Sequence, residues 1–188
     1  MIVGSSQETS ETAGRAAPTG GLFNRMGRAI RLQSSLYEEV EHDPGATRDG
    51  FYIIGIVSVA QAIGRSFDGL ILTGSFGNVL LLTITGFLET IIGLAIWSYL
   101  LYLIGTRVFK GVATPAEVWR TTGYARSPGV FLIIPVVGGL ANIWILVAYF
   151  LAARQALDIT TGRAIPAVIL SAIPYLLIQG LVLTLLAF

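Results

Sequence analysis

The chain has 188 residues, 54% hydrophobic and only 12% charged, and its mean hydropathy of +0.74 lies outside the range of a soluble globular domain. Its net charge of +1 conceals an asymmetry: Arg15 to Arg31 is basic, Glu38 to Asp43 is acidic, and Ala164 to Phe188 carries no charge. The absence of cysteine excludes disulfides, thiolate metal sites and cysteine nucleophiles.

Residues 1–20 are mostly polar and rich in Ser, Thr, Gly and Ala, which predicts a disordered cytoplasmic tail and not a secretory signal. Residues 21–43 read as an amphipathic interfacial helix. Leu22, Met26, Ala29, Gln33, Leu36 and Val40 share one face, joined by Phe23, Ile30 and Tyr37. Asp43-Pro44-Gly45 should end it. A transmembrane domain over 50–188 follows, with a first span over 50–67, its end extended by Arg65 and Phe67. The glycine-rich stretch Gly69 to Gly77 reads as an outer connection or re-entrant piece, with Asn78 as a cap. The second span covers 79–105, with Trp97, Tyr99 and Tyr102 late in it and Arg107 and Lys110 behind it as anchors.

Thr114-Pro115-Ala116-Glu117 has the layout of a capping box and starts a third span over 115–137, polar at its entry and kinked at Pro128. Gly138 and Gly139 should break it. A fourth span over 140–157 carries Ala148, Ala152 and Ala156 four residues apart, a smooth stripe for close helix packing. The fifth, over 164–187, is kinked by Pro174. The expected architecture is therefore all-α: a polytopic helical membrane protein of about five transmembrane helices after an N-terminal amphipathic helix. Four spans are the competing count. Charge placement favours five, since Arg15, Arg25, Arg28, Arg31, Arg48, Arg107, Lys110, Arg154 and Arg163 are then cytoplasmic and only Arg65 faces out. That topology places the N-terminus in the cytoplasm and the C-terminus outside.

Glu89 stands alone in an apolar run, and an ionisable residue at such a depth is paired, protonated or functional. Arg126, nine residues and about 13 Å deeper than Glu117 at 1.5 Å per residue, is its expected partner. A buried ion pair competes here with proton or substrate handling and with a protonated Glu89 bonded to backbone. Tyr37, Glu38, Glu39, Glu41 and Asp43 crowd a helix C-terminus, where the macrodipole disfavours negative charge. Folding of this helix onto cytoplasmic loops bearing Arg107, Lys110, Arg120, Arg154 and Arg163 would compensate them, and a solvated acidic face is the alternative. Leu22, Phe23, Arg25, Met26 and Ile30 are the expected lipid contacts, with Arg25, Arg28 and Arg31 meeting anionic headgroups. His42, the only histidine, reads as a solvated surface residue. No phosphate loop, nucleophile with an activating base, or metal-ligand set is legible, so neither catalysis nor a cofactor is expected.

The runs RAIRLQSSLYEEVEHDPGAT, GTRVFKG, GYARSPGVF and ARQALDITTGRA resemble bacterial members of the Yip1-domain family over Arg28 to about Ala164. Gly123-Tyr124 to Pro128 is similar to a G-Y-x-x-x-P feature of that family's third span. The resemblance implies a cytoplasmic N-terminus and five spans. Eukaryotic relatives act in traffic between endoplasmic reticulum and Golgi and bind small GTPases of the Rab class. Such a partner is not implied here, because Ser35-Leu36-Tyr37-Glu38 departs from the eukaryotic D-L-Y-G-P motif.

The leading expectation is a non-enzymatic protein of the bacterial cytoplasmic membrane, a membrane-organising scaffold or an accessory subunit acting through its cytoplasmic face. Its expected partners are the lipid bilayer and other membrane proteins or its own copies, not nucleic acid. The alternative is a small transporter or channel using Glu89 and Arg126, with the glycine-rich stretch and kinks at Pro128, Pro135 and Pro174 opening a path.

Overall fold

The computed structural model describes residues 20–74, 76–134 and 137–187, so the N-terminal tail and Pro135 lie outside the described residues. All regular structure among the described residues is helical: α1 Leu22–Ile30, α2 Ser34–Glu41, α3 Ala46–Thr73, α4 Phe76–Arg107, α5 Pro115–Ala125, a 3-10 segment Ser127–Ile133, α6 Val137–Ala156 and α7 Thr161–Ala187.

The amphipathic segment is two helices and not one. Leu32 adopts a left-handed conformation at φ 57°, and the backbone closes around it through Leu32 N–H to Ala29 O (2.9 Å) and Gln33 N–H to Arg28 O (3.1 Å). A continuous helix would hold Arg25 and Glu39 about 21 Å apart at 1.5 Å per residue. The reversal brings them to 2.9 Å, and Leu32 itself packs against the core. Ion pairing and burial thus offset a non-glycine left-handed residue, which costs about 1–2 kcal/mol.

The turn at Asp43-Pro44-Gly45 forms, with Gly45 N–H donating to Asp43 Oδ1 at 2.9 Å. The next helix begins directly behind it, ahead of the expected residue 50, and continues through Gly69 to Thr73. Gly69 is therefore helical, where a connection was expected. The lack of a side chain there lets α4 approach: a Cβ at Gly69 would lie 3.1 Å from both Val79 Cα and Leu82 Cδ1. The connection shrinks to a tight turn at Gly74, left-handed at φ 60°. Asn78 falls inside the first turn of α4 and is not its cap.

The capping box at α5 is complete: Glu117 N–H donates to Thr114 Oγ1 and Thr114 N–H to Glu117 Oε2, with Pro115 in the first turn. The expected continuous helix over 115–137 changes to 3-10 after Arg126, where Pro128 removes a backbone donor and restricts Ser127. This composite segment runs parallel to α3. Gly123 lies on Gly50, Gly129 on Val57, and Gly64 on the Leu132 carbonyl, so that glycines allow close backbone approach along its length. Gly138 and Gly139 belong to the first turn of α6 and do not separate helices.

The helices α3, α4, α6 and α7 are each long and apolar enough to cross a membrane. Their outward faces carry Ile71, Leu80, Leu140, Ile143 and Leu177, all more than 60% exposed. Apolar exposure on this scale fits lipid and not water. One end of the bundle, here the near end, gathers α1, α2, the link after Arg107 and the turn before Thr161. Val112 N–H donates to Leu157 O at 3.0 Å, and Gln155 Nε2 to Glu38 Oε2 at 2.9 Å. The tightly packed core lies toward this end, with Leu36, Tyr37, Val40, Ile53, Leu101, Val118, Tyr124 and Leu157 fully buried. Ala148, Ala152 and Ala156 are also fully buried, on a helix that packs against α5 and α2.

Candidate functional site

Two regions concentrate polar chemistry, a cap at the near end and a cavity toward the far end. The cap is organised by Arg25, 3% exposed, whose guanidinium pairs with Glu39 at 2.9 Å, Asp43 at 2.8 Å and Asp49 at 3.6 Å. Tyr124 OH donates to the other side of this cluster at Asp49 Oδ2, 2.8 Å away. Arg28 adds a second bond to Glu39 at 2.5 Å, and Arg120 Nη2 donates to the Glu41 carbonyl at 2.5 Å, satisfying the C-terminal end of α2. The carboxylates of α2 thus find their cations chiefly in α1. Among the described residues, Arg107, Lys110, Arg154 and Arg163 make no ion pair with them, and Arg107, Lys110 and Arg163 are exposed.

Placement in the cap also corrects the expected lipid contacts. Arg25 and Met26 are buried against protein and do not reach lipid, whereas Phe23 is 77% exposed and Leu22 and Ile30 are half-buried. Tyr37 is fully buried with its hydroxyl unpartnered. Glu41 is buried too. Burial, reinforced by the negative charge of Asp158, pushes its carboxyl up to about 7. His42 is exposed, and the contact of its Nδ1 with Glu38 O at 3.0 Å raises its affinity for a proton. Asp49, Tyr124 and Gln155 were not legible as cap residues from helical periodicity, because each comes from a different helix.

The cavity, of about 650 Å³, is lined by α3, α4, α6, α7, Arg126 and the end of the 3-10 segment, and it is partly open. Glu89 forms its ion pair with Arg65 at 2.8 Å, on the neighbouring helix of the hairpin, where Arg126 was the expected partner. Arg126 joins the same cluster through Gln61. Its Nη2 donates to Gln61 Oε1 at 2.8 Å, Thr90 Oγ1 donates to that oxygen at 2.9 Å, and Gln61 Nε2 faces Glu89 at 3.4 Å. Glu89 and Arg126 are thus brought to one cavity with an amide between them. The remaining wall is aromatic: Trp97 stacks on Tyr149 with centroids 5.4 Å apart and meets Tyr175 edge-on at 5.5 Å. Gly93 leaves room for Tyr175 and Gln179, since a Cβ there would lie 2.9 Å from the Tyr175 hydroxyl. Gln61 was missed in the sequence because a neutral amide gives no charge signal.

No group of His, Cys, Asp and Glu suited to a metal occurs among the described residues. A protein-family model described as the Yip1 domain matches residues 34–184. The chain has no significant match among curated proteins or solved structures.

Proposed function

The chain belongs to the Yip1 domain family, and from that membership we propose a non-enzymatic integral membrane protein, a scaffold or accessory subunit whose working surface is the near-end cap, facing the cytoplasm. The observation that carries this reading is the docking of α1 and α2 onto α3, α5 and α6 through the Arg25–Asp49 pair, Arg120 and Gln155. A terminal segment fixed in this way offers partners a preformed surface, which lowers the ordering cost of binding. Exposed Arg31, Arg48, Arg107, Lys110 and Arg163 lie at the same end, and Arg65 stands apart toward the other. That bias supports a cytoplasmic near end.

The composite of α5 and the 3-10 segment is the proposed fifth crossing. Its rise is about 30 Å at 1.5 Å per α residue and 2.0 Å per 3-10 residue, comparable to a hydrocarbon core. Its parallel course beside α3 supports the assignment, and its polar groups are turned to the protein: Ser98 and Thr122 bond at 2.7 Å. Photocrosslinkers at Lys110 and Arg163 in intact membranes test the contact function. A discrete crosslinked protein, lost on Arg25→Ala, is expected; crosslinks to lipid alone count against it.

The cavity favours a second reading, a small transporter using Glu89 and Arg126. A path through the bundle would have to continue past Leu101, Val118 and Leu157, which are fully buried. Proton-coupled flux in reconstituted vesicles, abolished by Glu89→Gln, would decide for transport.

A further inference from the structure

Four charged residues line the cavity, Arg65, Asp68, Glu89 and Arg126, and Arg126 is the cation among them without an ion pair. Arg65 and Glu89 satisfy one another, but among the described residues no carboxylate lies within ion-pair distance of Arg126. Its hydrogen-bond partners are neutral groups, Gln61 and the Tyr149 hydroxyl, and its Nε is buried without a partner. A guanidinium without a carboxylate partner inside a lipid-immersed bundle is costly, and an oxyanion is the ligand whose geometry matches its fork of donors. A further donor points the same way: the buried Trp97 Nε1 in the cavity wall has no partner.

The rest of the lining says what the oxyanion is attached to. Ile134, Leu146 and Leu176 border the cavity and are 45%, 53% and 63% exposed, so the cavity meets the bundle's lateral surface along apolar side chains. Tyr149, Tyr175 and Trp97 form a wall between this apolar mouth and the charged end. A polar end bearing a cation without an ion pair and an apolar opening toward lipid match an amphiphile better than a free ion. The size, about 650 Å³, holds a headgroup and part of a chain.

We propose that this cavity binds the headgroup oxyanion of a single membrane amphiphile of net negative charge, with Arg126 as the anion ligand and the acyl portion leaving between Leu146 and Leu176. Gln61 is a positioning residue. Its carbonyl, fixed also by Thr90, holds the guanidinium, and its amide faces Glu89, which keeps that carboxylate on Arg65. The inference requires that the bundle lie in a bilayer, and it is independent of what the near-end cap contacts.

The test uses the full chain with Trp119→Phe and Trp144→Phe, leaving Trp97 as the reporter, in phosphatidylcholine vesicles. Brominated phosphatidylglycerol should quench Trp97 saturably and more strongly than brominated phosphatidylcholine at equal mole fraction. Arg126→Gln should remove that excess. Gly139→Leu should remove it as well, by filling the cavity without touching the charged cluster: Gly139 lines the cavity and a Cβ there meets nothing within 4 Å. Unchanged thermal unfolding of Gly139→Leu separates occlusion from misfolding. Reversal by free inorganic phosphate identifies the headgroup oxyanion as sufficient for binding, and failure to reverse identifies the lipid as the source. Equal quenching by both lipids, or an excess that survives both substitutions, overturns the proposal.

Discussion

Arg25 joins α1 to α2 and, through Asp49, to α3, so its removal leaves three half-buried carboxylates facing one another. Arg25→Met should weaken cap docking by about 3 kcal/mol, the scale for breaking a buried pair by deleting one partner. Faster tryptic cleavage at Arg31 in membranes with the cap accessible would show it. The reading of one uninterrupted interfacial helix puts the charge of Arg25 at anionic headgroups; the left-handed Leu32, which no residue type announces, turns it inward. Glu41 sets a pH dependence. Its folded carboxyl is raised to about 7, so between the ordinary carboxylate range and that value the folded form holds a proton that the unfolded form releases. Docking should therefore weaken as pH rises from about 5 to 7 and level off above it. His42 shifts upward too and adds loss in the same direction as pH rises. Proteolysis of the cap measured across this range should lose the Glu41 contribution in Glu41→Gln.

Among the elements, the α5 and 3-10 composite depends most on residues without side chains. Gly64 faces the Leu132 carbonyl and Gly129 faces Val57, where a Cβ would come within 2.5 Å of Val57 Cγ1. Gly64→Leu should force the 3-10 segment off α3 and cost about 1–3 kcal/mol, as overpacking does. Gly55→Ala, where a Cβ meets nothing within 4 Å, should be neutral or stabilising by up to about 1 kcal/mol. Thermal unfolding of both variants in detergent distinguishes contact-forming glycines from incidental ones. The same ambiguity explains Gly69: glycine marks turns in water-soluble chains, but membrane helices use it for close packing. The capping box at Thr114 was legible because it is local, four residues long and chemically specific.

At the scale of the whole molecule, hydropathy disclosed the medium and the long helices, since both are properties of contiguous sequence. The cavity was not legible beyond Glu89 and Arg126. Its wall converges from residues as distant as Gln61 and Tyr175, and the Arg65–Glu89 pairing depends on the register of the α3–α4 hairpin. The near end is packed and the far end is hollowed, so the two proposals divide by end: a cytoplasmic contact surface on the cap and a ligand from the bilayer in the cavity. That division stands on the chain returning to the near end after the composite segment and α6. Gly162 is the position that reports it, being exposed with open space for a side chain in a chain that has no cysteine of its own. In Gly162→Cys, an impermeant maleimide should label the protein from the cytoplasmic side of the membrane only. Labelling from the outer side alone would contradict the five-crossing topology and the cytoplasmic cap built on it.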